Sequence, residues 1–292
     1  MRFGTTLPVI FGAQKEDLLA WAARAEQSGF TSLTVFDRLV YPNFEPLVAL
    51  AAAASVTQSI ELVTGILVTP TREVSLLAKQ IASLDILANG RLTIGIGVGN
   101  KIVDFQAAGI AYDERGKILD EQLERLHSIW SGQFVDEDGL VLGPLPVQAG
   151  GPQLLFGGTS PAVARRVGRW GNGHIASASI PGVLEKIHKN IETAWSENGR
   201  TGKPRYVVDI NYAFGPGAFE KSAEMMREYY AFLGQDMANA ITKAIITTPE
   251  KLKERIHLLE DLNIDEIILS PAVPGIDQLE RVIDVIGDSL IH

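Results

Sequence analysis

The chain has no cysteine, which excludes a disulfide framework, a thiolate zinc site and a cysteine nucleophile. It also lacks an excess of positive charge. Lys and Arg number 26 against 35 Asp and Glu, giving a net charge of −9 and a pI near 5.1. With no Lys/Arg cluster, that balance speaks against nucleic acid or an anionic membrane surface as partner. Aromatic residues make up 7% and are scattered, so no base-stacking platform is expected. Long apolar runs are missing as well. The most apolar helical stretch, residues 47–54, is far too short to span a bilayer. Residues 1–6 go straight into a strand pattern without the apolar core of a signal peptide. A cytoplasmic location is the expectation.

The five histidines do not cluster. His127, His188 and His257 fall mid-helix, His292 is the last residue, and His174 opens a strand near its amino end. Neither a His-Glu-x-x-His, a Gly-x-Ser-x-Gly nor a phosphate-loop Lys-Ser/Thr pattern occurs, so zincin, serine hydrolase and nucleoside triphosphatase readings fail. No metal site is expected.

What is present is an ordinary core-forming composition: 292 residues, 46% hydrophobic and 21% charged. Barrels of alternating strands and helices reach this size as one domain. The chain is organised around residues 60–100. Residues 60–67 are apolar and β-branched, as in a strand buried on both faces. Leu77, Ile81, Leu84 and Ala88 repeat at helical spacing, and Asn89-Gly90 supplies the positive φ that ends a helix. A second apolar strand follows, its exit crowded by Gly95, Gly97 and Gly99, where a ligand or another backbone can approach closely.

The same alternation runs through the whole chain. Strands are expected at residues 3–9, 32–36, 60–67, 92–100, 153–156, 174–178, 206–214 and 266–270. Helices are expected between them, with Pro46 and Pro161 at helix starts. Residues 102–114, 133–152 and 234–248 read as irregular insertions long enough to wall a pocket. Eight strands separated by helices without a linker favour an α/β fold: a single (β/α)8 TIM barrel over residues 1–292, with its insertions at the carboxyl end of the strands. The competitor, an open doubly wound sheet, would need fewer strands. It usually carries a Gly-x-Gly-x-x-Gly turn after strand one, where this chain has Leu7-Pro8-Val9-Ile10.

In such a barrel the informative residues stand just past each strand. They are Asp37-Arg38, Thr64-Gly65-Ile66, the run Gly97-Val98-Gly99-Asn100, Gly157-Gly158-Thr159-Ser160, residues 176–179 and residues 212–217. Gly157-Gly158-Thr159-Ser160 is the best phosphate candidate, with two glycines, two hydroxyls and a helix N-terminus. The alternative is a plain helix cap. Asp37 could orient a cofactor or move a proton, or merely cap a loop or pair with Arg38.

Taken in order, these segments resemble the luciferase-like flavin enzymes, which include FMN-dependent monooxygenases and enzymes of the deazaflavin coenzyme F420. The resemblance rests on Thr-Val-Phe-Asp-Arg at strand two, Leu-Val-Thr-Gly-Ile-Leu-Val-Thr-Pro-Thr-Arg at strand three, Asp-Ile-Leu-Ala-Asn-Gly-Arg-Leu-Thr-Ile-Gly-Ile-Gly-Val-Gly into strand four, and Phe-Gly-Gly-Thr-Ser-Pro after strand five. It implies a cofactor phosphate on Gly157, Gly158, Thr159 and Ser160. It also implies a non-prolyl cis peptide at Gly65-Ile66 forming a bulge behind the ring. Thr64 beside that bulge, and Gly97, Gly99 and Asn100 at the glycine-rich exit of strand four, are the further cofactor-binding candidates. Asp37 corresponds to the family's acidic residue near the ring. The F420 enzymes often have His at the next position, where this chain has Arg38, a group able to offer charge to an anionic flavin or substrate.

The implied function is an oxidoreductase using FMN, with oxygen insertion into an organic substrate, or F420, with hydride transfer. The alternative is a barrel that binds flavin without turnover. The implied partners are a small-molecule substrate, the cofactor and a second copy of the chain, paired through the apolar helices at 47–54 and 76–87.

Overall fold

The computed structural model describes residues 1–9, 13–134, 139–177 and 182–290. Eight strands are hydrogen-bonded in sequence order into one closed parallel barrel. They are β1 (Arg2–Thr6), β2 (Ser32–Val35), β3 (Glu61–Val68), β4 (Leu92–Gly97), β5 (Gln153–Gly157), β6 (Gly173–Ser177), β7 (Arg205–Tyr212) and β8 (Glu266–Pro271). Closure is made by β1 on β8, with Arg2 opposite Glu266 and Thr5 opposite Leu269. In chain order the helices are α1 (Lys15–Gln27), α2 (Pro46–Ala54), α3 (Val74–Leu87), α4 (Ile102–Ala108), α5 (Arg115–Trp130), α6 (Pro161–Trp170), α7 (Val183–Glu197), α8 (Ala218–Tyr230), α9 (Gln235–Lys243), α10 (Pro249–Asp261) and α11 (Ile276–Leu290). Among the described residues no helix is long and apolar enough to cross a membrane.

Local chemistry sets the helix ends. The Glu73 carboxylate accepts the N–H groups of Ser75 and Leu76 at the start of α3. Asn89 and Gly90 take positive φ just past its end. Leu77, Ala78, Ile81, Ala82 and Leu84 then face inward and are buried.

The interior of the barrel is layered at the two-residue period of its strands. At the amino end Arg205 pairs with Glu61 and Glu266, and Arg2 with Glu266. Two residues further along come Val207 and Ile268, packed with Leu155, Ile175 and Ile66. Two residues further again stand Asp209 and Ser270, beside Thr6 and Thr34 at the carboxyl end.

The structure departs from the sequence-based expectation in two insertions. Residues 102–114 are not irregular: they form α4 and a short 3-10 helix, Tyr112–Glu114. Asp104, buried in that helix, binds Arg38. The described residues of the 133–152 insertion lie at the amino end of the barrel, because they leave an outer helix, α5, and feed strand β5. There the Gln148 side chain donates to Asp85 and to the Leu92 carbonyl at the start of β4. The third insertion does serve the carboxyl end: after α8 and α9, Ile246 forms a bridge to Tyr212, the last residue of β7. Ala178 and Ser179, which the sequence places at the exit of strand six, lie outside the described residues.

Candidate active site

The carboxyl end of β3 is built around a cis peptide between Gly65 and Ile66. The pairing of β3 with β4 shifts register between Thr64 and Leu67, as a bulge requires. The glycines of β4 are explained by this bulge. A Cβ at Gly95 would collide with the Thr64 carbonyl oxygen, and one at Gly97 with the Ile66 side chain. Gly99 has φ +73 and sits against Val68. Thr64 is fully buried and spends its hydroxyl on the Gly95 carbonyl at 2.7 Å. Thr64, Gly97 and Gly99 thus shape the bulge from behind, while Gly65 and Ile66 remain partly open at the barrel mouth. Asn100 is exposed, and its carbonyl accepts the Tyr112 hydroxyl.

The glycine-rich turn adjoins this bulge. A Cβ on Gly157 would lie 3.0 Å from Ile66 Cγ2, so the two segments share one wall of the mouth. Gly158 has φ +108, a conformation that favours glycine. Ser160 occupies the N-cap of α6 and its side chain makes no capping hydrogen bond, with Pro161 next. Pro161 has no N–H and the Val163 N–H donates to the Ser160 carbonyl at 2.9 Å, so within the first turn the Ala162 N–H is the donor left for an outside acceptor. Gly158, Thr159 and Ser160 are exposed. Beneath them His174, fully buried on β6, donates from Nε2 to the Gly158 carbonyl at 2.8 Å. Its Nδ1 is buried without a partner, and burial pushes the imidazole below its ordinary pKa. His174 is therefore a neutral prop for the turn.

Asp37 and Arg38 part company on leaving β2. Asp37 is buried and both carboxylate oxygens are engaged, one by the Val68 N–H at 2.8 Å and one by Arg72 Nη2 at 2.8 Å. Burial pushes this carboxyl up, and Arg72 pulls it partly back. Asp37 therefore ties down the exit of β3. Arg38 pairs through two hydrogen bonds with Asp104 of α4, at 2.7 and 3.1 Å. Its Nη1 is buried without a hydrogen-bond partner.

Beside Arg38 stands a cluster that the sequence alone did not reveal. Tyr41 and Tyr229 meet edge to face at 5.0 Å, with Tyr230 4.8 Å from Tyr229. Lys101 lies 3.9 Å from the Tyr229 ring centroid and 4.6 Å from that of Phe232. Burial and the nearby Arg38 charge lower its pKa to about 8. Tyr229 and Tyr230 reach this place at the far end of α8, away from any strand-end marker, so no spacing rule points to them. The other unforeseen group, Asp209, is legible in principle: it stands two residues after the inward-facing Val207 on one strand.

Comparison with known proteins accords with this geometry. Residues 1–280 match the luciferase-like monooxygenase family. The 5,10-methylenetetrahydromethanopterin reductase of Methanolobus tindarius is 26% identical, the alignment covering 93% of this chain and 94% of that protein. An F420-dependent secondary alcohol dehydrogenase superposes with a TM-score of 0.82 at 20% identity, over 100% of this chain and 99% of the other. The oxygenating component of 3,6-diketocamphane monooxygenase from Pseudomonas putida, a type II Baeyer-Villiger enzyme in complex with FMN, gives 0.76 at 17% identity, over 99% and 98%. The chain belongs to the luciferase-like monooxygenase family.

Proposed function

We propose that the protein is an oxidoreductase in which a flavin-type cofactor and a small organic substrate meet at the carboxyl mouth of the barrel. The observation that carries this reading is the shared wall formed by the Gly65-Ile66 bulge and the Gly157–Ser160 turn. The residues present fit a phosphate-bearing ring cofactor. Gly158 leaves room for an anion close to the backbone, and the Ala162 N–H at the positive end of α6 would supply a donor of the right polarity. Gly157, Gly158, Thr159 and Ser160 would hold the phosphate, and Gly65 and Ile66 would back the ring. When bound, F420 supplies hydride transfer, and FMN supplies hydride and oxygen chemistry.

Hydride transfer with F420 is the first reading, supported by the whole-length similarity to a reductase and by the likeness to the F420-dependent dehydrogenase. The FMN reading is kept because Arg38 stands where the F420 enzymes often have histidine. In either case Tyr41, Tyr229 and Tyr230 would wall the substrate from water. Arg38 Nη1 and Lys101 would offer donors to an anionic group, while Asp37 positions the bulge through Val68. We further propose one domain over residues 1–292. A homodimer through α2 and α3 is also proposed, since these packed neighbours expose Val48, Leu76, Ile86 and Leu87.

The deciding experiment follows purified protein anaerobically with F420 and candidate alcohols or imines, and aerobically with reduced FMN. A substrate-dependent change of the F420 absorbance supports the first reading; substrate-dependent oxygen consumption with FMN supports the second. Neither change, with cofactor bound, would favour a barrel that binds without turnover.

A further inference from the structure

The interior layer nearest the mouth is an unbroken line of hydroxyls ending on a carboxylate. Ser270 Oγ donates to Asp209 Oδ2 at 2.7 Å. Ser270 Oγ is 2.5 Å from Thr6 Oγ1, which is 2.7 Å from Thr34 Oγ1. The line therefore crosses four adjacent strands, β7, β8, β1 and β2. At its far end Thr34 packs against the bulge through Cβ and its methyl, which would lie 3.6 and 4.0 Å from a Cβ on Gly65, with its hydroxyl turned to Thr6. One end thus reaches the segment assigned to the ring, and the other ends on an acid to which that reading gives no task. Thr6 and Asp209 are part-buried, so the line touches the mouth at two points.

The direction of the line depends on the state of Asp209. With the carboxylate ionised, Ser270 donates to it, Thr6 to Ser270 and Thr34 to Thr6, so every proton points away from Gly65. With the carboxyl protonated on Oδ2, the order reverses: Thr6 donates to Thr34, and the Thr34 hydroxyl proton is freed for an acceptor beside the bulge. We propose that Asp209 holds a proton for the reaction at the mouth, and that Ser270, Thr6 and Thr34 conduct it to the atom bound against Gly65. This rests on the oxidoreductase reading above.

The transfer balances as one proton and no electrons. The Asp209 O–H breaks as Ser270 gains that proton and gives its own to Thr6. Thr6 passes its proton to Thr34, and Thr34 gives one to the acceptor. Each hydroxyl loses one O–H bond and gains one, and the carboxylate recovers a proton from solvent at the mouth. For a carbonyl or imine substrate that receives hydride from the reduced cofactor, this proton completes the alcohol or amine.

The surroundings of Asp209 suit a proton store. β8 presents Ser270 to it, β6 places Ser177 in register with it, and α8 brings Tyr230 within electrostatic reach. Arg38, the guanidinium beside the mouth, is bound to Asp104. Lys101 is enclosed by rings and donates to the Tyr229 carbonyl. Burial therefore prevails and pushes the Asp209 carboxyl up to about 6.

Infrared titration of the cofactor-free protein in heavy water, between about pH 4 and 8, tests the store directly by the carboxylic C=O band of Asp209, identified by its loss in Asp209→Asn. A midpoint near 6 is expected, about a hundredfold weaker acidity than a free aspartate. Ser270→Ala should raise the midpoint further, because the ionised form loses a donor. In the loaded enzyme, reduction of substrate should fall as pH rises through about 6. Thr6→Val, which interrupts the line while keeping the side chain's shape, should slow it by about tenfold or more, a fraction of what a positioned proton donor contributes. A midpoint near 4, or unchanged turnover in Thr6→Val with cofactor bound, would overturn this proposal alone. Failure of the parent protein to bind either cofactor would overturn the oxidoreductase reading, and the conducting role with it.

Discussion

Asp209 and His188 carry opposite pH dependences into the stability of the fold. For Asp209 the folded value is about 6, against about 3.9 in an open chain. Between those values the folded state binds more protons, so stability falls as pH rises from about 4 to about 6 and stays low above. Asp209→Asn keeps an acceptor for Ser270 and removes the charge. It should stabilise the protein by about 1–2 kcal/mol at about pH 8 and by little near pH 4. Urea unfolding at the two pH values checks this, and an equal effect at both would contradict it. His188 is stacked at 3.7 Å on Tyr206 and faces His174 at 5.5 Å. Burial first, and the neighbouring His174 imidazole second, lower it to about 4. A depressed base gives stability above its open-chain value, about 6.5, that is lost as pH falls through about 4. His188→Phe should therefore flatten the acid limb of the stability curve in that window, and an unchanged limb would show that other groups set it.

At the scale of elements, the bulge in β3 and the glycines of β4 form one device. Gly95 has no space for a Cβ, because the Thr64 carbonyl occupies it. Gly95→Ala should cost about 3 kcal/mol or more, since backbone rather than a flexible side chain must move. Gly116→Ala, near the start of α5 with only Arg166 Nη2 in contact range at 3.7 Å, should be neutral or stabilise by about 0.5–1 kcal/mol. Denaturant midpoints of the two variants would show whether the β4 glycines serve the bulge. The strands and most helices were legible from the sequence because buried parallel strands and amphipathic helices leave strong periodic signals. The cis bulge was legible only through resemblance, since no periodicity encodes the isomer of one peptide bond. Residues 102–114 misled because α4 is under two turns long and its buried face is Asp104 and Phe105, a polar-apolar pair. The engagement of Asp37 by Arg72 and the hydroxyl line from Thr34 to Asp209 were not legible, because they join residues far apart in the chain.

At the scale of the whole molecule, the proposed tasks of the outer surface and of the mouth are separate. Helices α2 and α3 expose Val48 at 67% and Leu87 at 65%, high for large apolar side chains on a wall of the barrel. A homodimer through that wall is expected at micromolar concentration. Leu87→Glu with Val48→Glu should convert it to a monomer without unfolding it, as read by light scattering beside circular dichroism. A parent protein of monomer mass would remove the proposal. The central claim concerns the mouth and is tested most directly by binding alone. The measurement is a calorimetric titration of the parent protein and of Gly158→Asp with F420 and with FMN. The expected result is saturable binding of at least one cofactor by the parent and a loss of about tenfold or more in the variant, where a side chain and a negative charge enter the phosphate cradle. Parent protein that binds neither cofactor, or Gly158→Asp binding as tightly as the parent, would contradict it.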